Sequence, residues 1–200
     1  FRWGDFKARV SGYYTKFMDQ SKVISYYDDV ESTFSNFAMS GIDKQHFGLE
    51  VAASIPLYAG LALNGAISWG QFTYDSNPDY VQIQDNSGEI KNEGKVYWKN
   101  FRVESTPQTA MNIGLSYRSR NNIYASVDMN YYNNMYLSMS PLYRTDAVLS
   151  RNMSAEDIRE LRHQEKFNSA CVFNASVGKN WYINRAYTLG FSLEVKNLLN

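Results

Sequence analysis

Residues 187–197 read Tyr187-Thr-Leu-Gly-Phe-Ser-Leu-Glu-Val-Lys-Asn197. Tyr187, Leu189, Phe191, Leu193 and Val195 occupy alternate positions, and Thr188, Gly190, Ser192, Glu194 and Lys196 fill the positions between. Successive side chains of a strand point to opposite sides, so this pattern is a strand with one apolar face and one wet face.

The same period of two runs upstream. Residues 167–181 set Phe167, Cys171, Phe173, Ala175, Val177 and Trp181 against Asn168, Asn174, Ser176, Gly178 and Asn180, with Val172 and Lys179 as exceptions. Residues 123–136 set Ile123, Ala125, Val127, Met129 and Tyr131 against Tyr124, Ser126, Asp128, Asn130 and Tyr132. Residues 109–118, 61–74 and 46–57 alternate in the same way, and residues 5–18 do so more weakly. This gives about seven strands, most longer than the ~5–6 residues usual in globular sheets and close to the ~9–11 of a tilted strand crossing a bilayer.

The connections sort by length. Residues 58–60, 119–122 and 183–186 are short, whereas 20–43, 75–105 and 137–166 are long, in strict alternation. All long connections then emerge at one end of the sheet, the asymmetry of outer-membrane barrels with short periplasmic turns and long extracellular loops. Aromatic residues gather at both ends of the apolar faces. Tyr117, Trp181 and Tyr187 lie near the short turns, and Tyr14, Phe47, Trp69, Tyr131 and Phe167 near the long connections. Interfacial girdles have this character. One short helix is expected in the third long connection, where Ser154-Ala-Glu-Asp157 forms a capping box with Asp in place of the usual Glu or Gln.

Composition narrows the function classes. Twenty Lys and Arg balance twenty Asp and Glu, so no basic excess points to nucleic acid. The lone Cys171 excludes an internal disulfide framework. Mean hydropathy is -0.46 and no apolar run reaches the ~18 residues of a membrane helix, yet aromatics make up 16% of the 200 residues. The chain starts at Phe1 and ends in strand pattern, and an odd number of strands does not close a bacterial single-chain barrel. The expectation is a piece of a longer chain that supplies further strands.

Ala38-Met-Ser-Gly-Ile-Asp-Lys-Gln-His-Phe-Gly-Leu-Glu50 and Gly65-Ala-Ile-Ser-Trp-Gly-Gln-Phe-Thr-Tyr74 resemble the barrel of TonB-dependent receptors, particularly those of Bacteroidetes-type bacteria. So do Thr106-Pro-Gln-Thr-Ala110, Tyr131-Tyr-Asn-Asn-Met-Tyr-Leu137 and the ending Val195-Lys-Asn-Leu-Leu-Asn200. The resemblance covers nearly the whole chain. It implies residues 1–200 of an all-β, antiparallel transmembrane barrel of about 22 strands, of which seven are roughly a third. The amino-terminal plug domain, the segment that contacts TonB and the last strand would lie outside these residues. It also implies an outer-membrane location in a Gram-negative bacterium. The function implied is TonB-coupled uptake of a scarce ligand, of the class of iron chelates, haem, cobalamin, glycans or peptides. The expected partners are outer-membrane lipid, the TonB complex and the plug, with no cofactor. A passive porin, an adhesive barrel and a soluble β-sheet binding module are the rival readings.

Candidate site residues follow from the wet faces. His46, Glu50, Asp128, Asn130, Tyr132, Asn174 and Glu194 are expected to face the lumen, where polar side chains tune selectivity. Tyr80, Tyr97 and Trp98 of the second long connection are candidate stacking contacts for a sugar or an aromatic ligand, or else pack that connection on itself. His46 and His163 have no second His or Cys at metal-ligand spacing, so no metal site is expected. No local Ser–His–Asp grouping or nucleophile elbow marks an enzyme. The run Asp28-Asp-Val-Glu31 lacks the spacing of a calcium loop and reads as a solvated acidic segment.

Overall fold

The computed structural model describes residues 1–29, 32–151, 153–184 and 186–199. Its strands are β1 (Arg2–Trp3), β2 (Phe6–Asp28), β3 (Thr33–Pro56), β4 (Leu61–Tyr74), β5 (Asp79–Gln84), β6 (Ile90–Lys95), β7 (Thr109–Arg118), β8 (Ile123–Asn133), β9 (Ala170–Ile183) and β10 (Tyr187–Val195). Between β8 and β9 lie a 3-10 turn (Pro141–Arg144) and the helices α1 (Asp146–Leu149) and α2 (Ala155–Arg162). The fold is all-β, and every pairing is antiparallel. The long strands form one meander in the order β2-β3-β4-β7-β8-β9-β10, an open sheet in which, among the described residues, β10 pairs only with β9.

The pairing places like with like. Val10, Val51, Ile67, Met111, Tyr131 and Cys171 stand opposite one another across six strands. A second row runs through Ile55, Leu63, Leu115, Val127, Ala175 and Val195. Directly paired residues share a face, so these rows make one continuous apolar surface. It is uncovered: Val10, Ile67, Leu115, Val127, Phe191 and Leu193 are all exposed. Trp69, Tyr117, Trp181 and Tyr187 are exposed on the same face towards its two ends.

The short turns are tight. Ala59 and Gly60 both have positive φ, +55° and +83°, as a two-residue hairpin turn demands. Gly60 is required twice over, because a Cβ there would run into the carbonyl oxygen of Arg118 on the neighbouring hairpin. Asn122 and Asn184, at φ +58° and +50°, serve the other two turns.

The long connections depart from expectation. Residues 20–43 are not a loop, because β2 and β3 run on as a hairpin of 23 and 24 residues. At ~3.3 Å per residue each strand is about 75 Å long, more than twice a ~30 Å bilayer core. The register slips between Phe17, Gln20 and Lys22, with Asp19 at φ +56° and Gly41 at φ +73°. The Asp43 carboxylate accepts the Asp19 amide at 2.9 Å, and the Ser76 hydroxyl accepts the Asp43 amide and donates to the Gly41 carbonyl. A bulge changes which parity faces inward. Below it the apolar face of β3 carries odd positions, Phe47 to Ile55. Above it Phe37 and Met39, also odd, are buried on the opposite side, beside Ile42.

Residues 75–105 contain β5 and β6, and β5 pairs with the outer half of β3, from Ser40↔Asp79 to Ser35↔Gln84. Residues 137–166 hold two helices and a 3-10 turn rather than one helix. The Ser154–Asp157 capping box is present: the Asp157 amide donates to Ser154 Oγ at 3.1 Å, and the Ser154 amide to Asp157 Oδ2 at 3.0 Å. The strand pattern from Phe167 begins at Ala170 instead, after an isolated bridge between Tyr136 and Lys166. Asp28 and Asp29 sit at the hairpin tip, and Val30, Glu31 and the final Asn200 of the closing motif lie outside the described residues.

These connections pack together into a cap. The buried apolar cluster is Phe37, Met39, Ile42, Tyr74, Tyr80, Val96 and Trp98, all from the ends of β3 and β4 and the chain between β4 and β7. The core of the described chain therefore sits in the cap, and the seven-stranded meander has none.

Candidate functional site

The wet face of the sheet carries a hydrogen-bonded ladder. Asn112 Nδ2 donates to Asn130 Oδ1 at 2.9 Å. Asn130 Nδ2 donates to Asp128 Oδ2 at 2.8 Å, and Asn174 Nδ2 donates to the same oxygen at 2.9 Å. Asn174 Oδ1 in turn accepts the Asn197 amide at 3.2 Å, which ties the Asn197-Leu-Leu segment back to β9. A second row links Ser54, Asn64 and Ser116 across β3, β4 and β7, and Ser126 and Ser176 share a bond at 2.8 Å. These polar side chains thus satisfy one another from strand to strand without a covering layer.

Asp128, Asn130 and Asn174 are brought together as one network. Glu50 and Tyr132 lie one row nearer the cap and line, with Arg9 and Asn130, a shallow concavity of about 360 Å³. His46 does not meet Glu50. It is held between the rings of Phe17 and Phe72, at 5.0 and 4.4 Å between centroids, and its Nε2 is buried without a hydrogen-bond partner among the described residues. Glu194 stands apart from this network, at the end of β10 away from the 183–186 turn and 3.5 Å from Lys196. His163 ends α2, with Nδ1 3.7 Å from Glu165, both exposed.

Between His46 and Glu50 the wet face narrows to backbone. A Cβ on Gly48 would come within 2.6 Å of both the Trp69 carbonyl oxygen and the Tyr13 hydroxyl. One on Gly70 would come within 2.8 Å of that hydroxyl. The hydroxyl end of Tyr13 lies over these two glycines, which the absence of side chains permits.

In the cap, Tyr80 and Trp98 are each 2% exposed and offer no face to a ligand: Tyr80 stacks on Phe37 at 4.6 Å and Trp98 packs on Tyr74 at 4.6 Å. Tyr97 is exposed. The Tyr74 hydroxyl donates to Glu104 at 2.8 Å. Burial first, then the Glu104 charge and that bond, hold it protonated far above the ordinary tyrosine range. The Lys16 ammonium bonded at 3.0 Å holds the Asp75 carboxyl below the usual carboxylate range.

Two glutamines splice the connections. Gln108 accepts from the Phe72 amide and donates to its carbonyl, at 3.3 and 3.1 Å. Gln164 does the same to Arg102, at 2.9 and 2.8 Å, and joins the third long connection to the second. Beside that splice lies a cavity of about 560 Å³ between residues 97–101, the 3-10 turn, α1 and α2, with Lys99, Arg144 and Arg162 on its wall. The alternation pattern carries no trace of it, since its residues come from three segments. The separate cationic residues Lys99, Arg144 and Arg162 were the only available signal.

Comparison with protein-family models, curated proteins and solved structures gave no match to this chain.

Proposed function

We propose that the chain is part of the wall and outer cap of a TonB-dependent outer-membrane receptor, a closed barrel of about 22 strands to which it contributes seven. The observation that carries this reading is the meander's pair of faces. One is continuously apolar and uncovered, and the other is polar and cross-linked by its own side chains. A sheet with lipid on one side and an aqueous lumen on the other needs that division. A soluble module would leave the apolar rows through Val10 and Ile55 in water, whereas monomers rarely expose contiguous apolar patches of more than a few hundred Å².

The placement of the cap supports the reading further. All three long connections meet at one end and pack together there, whereas the other end has only tight turns. In the proposed setting the cap faces the cell exterior and receives a ligand, and the ladder around Asp128 lines the passage below. The work is binding and passage, driven by TonB through the plug, with no chemical turnover.

The test is the intact mass of the native product in detergent-extracted outer membranes. A species several times larger than these 200 residues and containing their peptides is expected. A product of this size in the soluble fraction would overturn the reading.

A further inference from the structure

The cavity in the cap has a one-sided charge. Three cationic side chains reach its wall, Lys99, Arg144 and Arg162, and no carboxylate does. In a chain whose charges balance overall, that is a local excess of positive charge. Lys99 has a distant partner in Asp75 at 4.0 Å, which already holds Lys16 at 3.0 Å. Arg144 and Arg162 have no ion-pair partner among the described residues. Arg144 lies over the Phe101 ring at 5.6 Å and donates from Nη1 to the Ser140 carbonyl at 3.0 Å, while its Nε is buried with no hydrogen-bond partner among the described residues. An unmet buried donor on a half-buried guanidinium costs free energy unless something accepts from it.

Asn77, Tyr97 and Asn100 add polar groups to the wall, and its apolar part is formed by four side chains. Phe101, Leu149, Ile158 and Leu161 face the same space. Its volume of about 560 Å³ falls in the ~300–1,000 Å³ range of small-molecule sites.

The wall is also held in place. Asn77 Oδ1 accepts the amides of Trp98 and Lys99 at 3.1 and 2.9 Å, which fixes the segment bearing Lys99 and Phe101. The Tyr97 amide donates to the Arg144 carbonyl at 2.8 Å. The capping box at Ser154 sets the start of the helix that carries Ile158, Leu161 and Arg162. Side chains positioned by such supports are arranged for a ligand before it arrives.

We propose that this cavity binds a small organic anion, a carboxylate on an apolar body, with Arg144 and Arg162 taking the carboxylate and Phe101, Ile158 and Leu161 the body. Guanidinium groups suit a carboxylate because their fork of donors matches its two oxygens. This deepens the uptake reading by naming a ligand class, and rests on that reading only for where the ligand goes next.

The test uses the full chain in non-ionic detergent and two probes of one shape, naphthylacetate and its neutral amide naphthylacetamide, with affinities from calorimetry. The anion should bind about tenfold or more tightly than the amide. Arg162→Gln and Arg144→Gln should each cut that preference to about twofold or less and leave the amide's affinity unchanged. Equal affinities, no saturable binding of the anion, or a preference that survives both substitutions would overturn the proposal. If Arg144→Gln fails to fold, Arg162→Gln on the exposed end of α2 decides alone. Loss of anion binding with the chain still in the outer membrane would sink the site and leave the receptor reading standing.

Discussion

Asn174 on β9 reaches across the strand pair and donates to Asp128 Oδ2 on β8 at 2.9 Å, on the oxygen that also accepts from Asn130. One carboxylate therefore organises two amide side chains. Through Asn130 it holds Asn112, and through Asn174 it holds the backbone of Asn197.

Asp128→Ala should cost about 1–3 kcal/mol, because it strips a charged acceptor from two donors on a partly covered face. Asp128→Asn, which keeps an acceptor of the same shape, should cost less. Urea unfolding in detergent measures both, and equal losses would show that the carboxylate does not organise the ladder.

The cap should weaken in alkali. The folded Tyr74 hydroxyl stays protonated well above the ordinary value of about 10, at which the unfolded chain ionises. A folded pKa raised above the unfolded one gives stability that is fully present below about pH 10 and is lost as pH rises beyond it. Cap stability in Tyr74→Phe should lack this alkaline slope, as read by hydrogen exchange at the Val96 and Trp98 amides. An identical slope in both proteins would rule Tyr74 out as its cause.

Two wall glycines should respond differently. A Cβ on Gly48 meets the Trp69 carbonyl oxygen at 2.6 Å, and that backbone has no freedom to yield. A Cβ on Gly65 meets only the Asn112 carbonyl oxygen at 3.9 Å, an ordinary contact. Gly48→Ala should lower the yield of assembled protein severalfold and Gly65→Ala should not. Heat-resistant migration in mild detergent reads the outcome.

Gln164 carries the splice between the second and third long connections, with both backbone groups of Arg102 and the Leu137 carbonyl as partners. Gln164→Ala should cost about 1–3 kcal/mol locally and open residues 137–166 to protease while the sheet survives. Unchanged cleavage would mean that the bridge between Tyr136 and Lys166 suffices to hold the segment.

The sheet was legible in the sequence because its two sides demand opposite chemistry at every step. Each row of the meander, from Val10 through Ile67 to Cys171, follows the faces that alternation assigns. The outer halves of β2 and β3 were not legible, because the bulge at Asp19 and Gly41 shifts the parity just where a simple period would be extended. β6 hid for another reason: Ile90 is its sole large apolar residue, so no period exists to read. The Asn and Asp residues of the ladder could be placed on one face from sequence, but their bonding needed the register. The cavity joins residues near 99, 144 and 162, and no spacing rule connects segments that meet only through Gln164 and the cap core.

The most direct test of the account is the environment of successive residues along β10. Spin labels placed singly from Thr188 to Glu194 would be probed for collision with oxygen, which concentrates in lipid, and with a water-soluble nickel chelate. Labels at Leu189, Phe191 and Leu193 should collide with oxygen, and those at Thr188, Gly190, Ser192 and Glu194 with the chelate, in strict alternation. Uniform access of the chelate to all seven positions would contradict the claim that this sheet divides lipid from water.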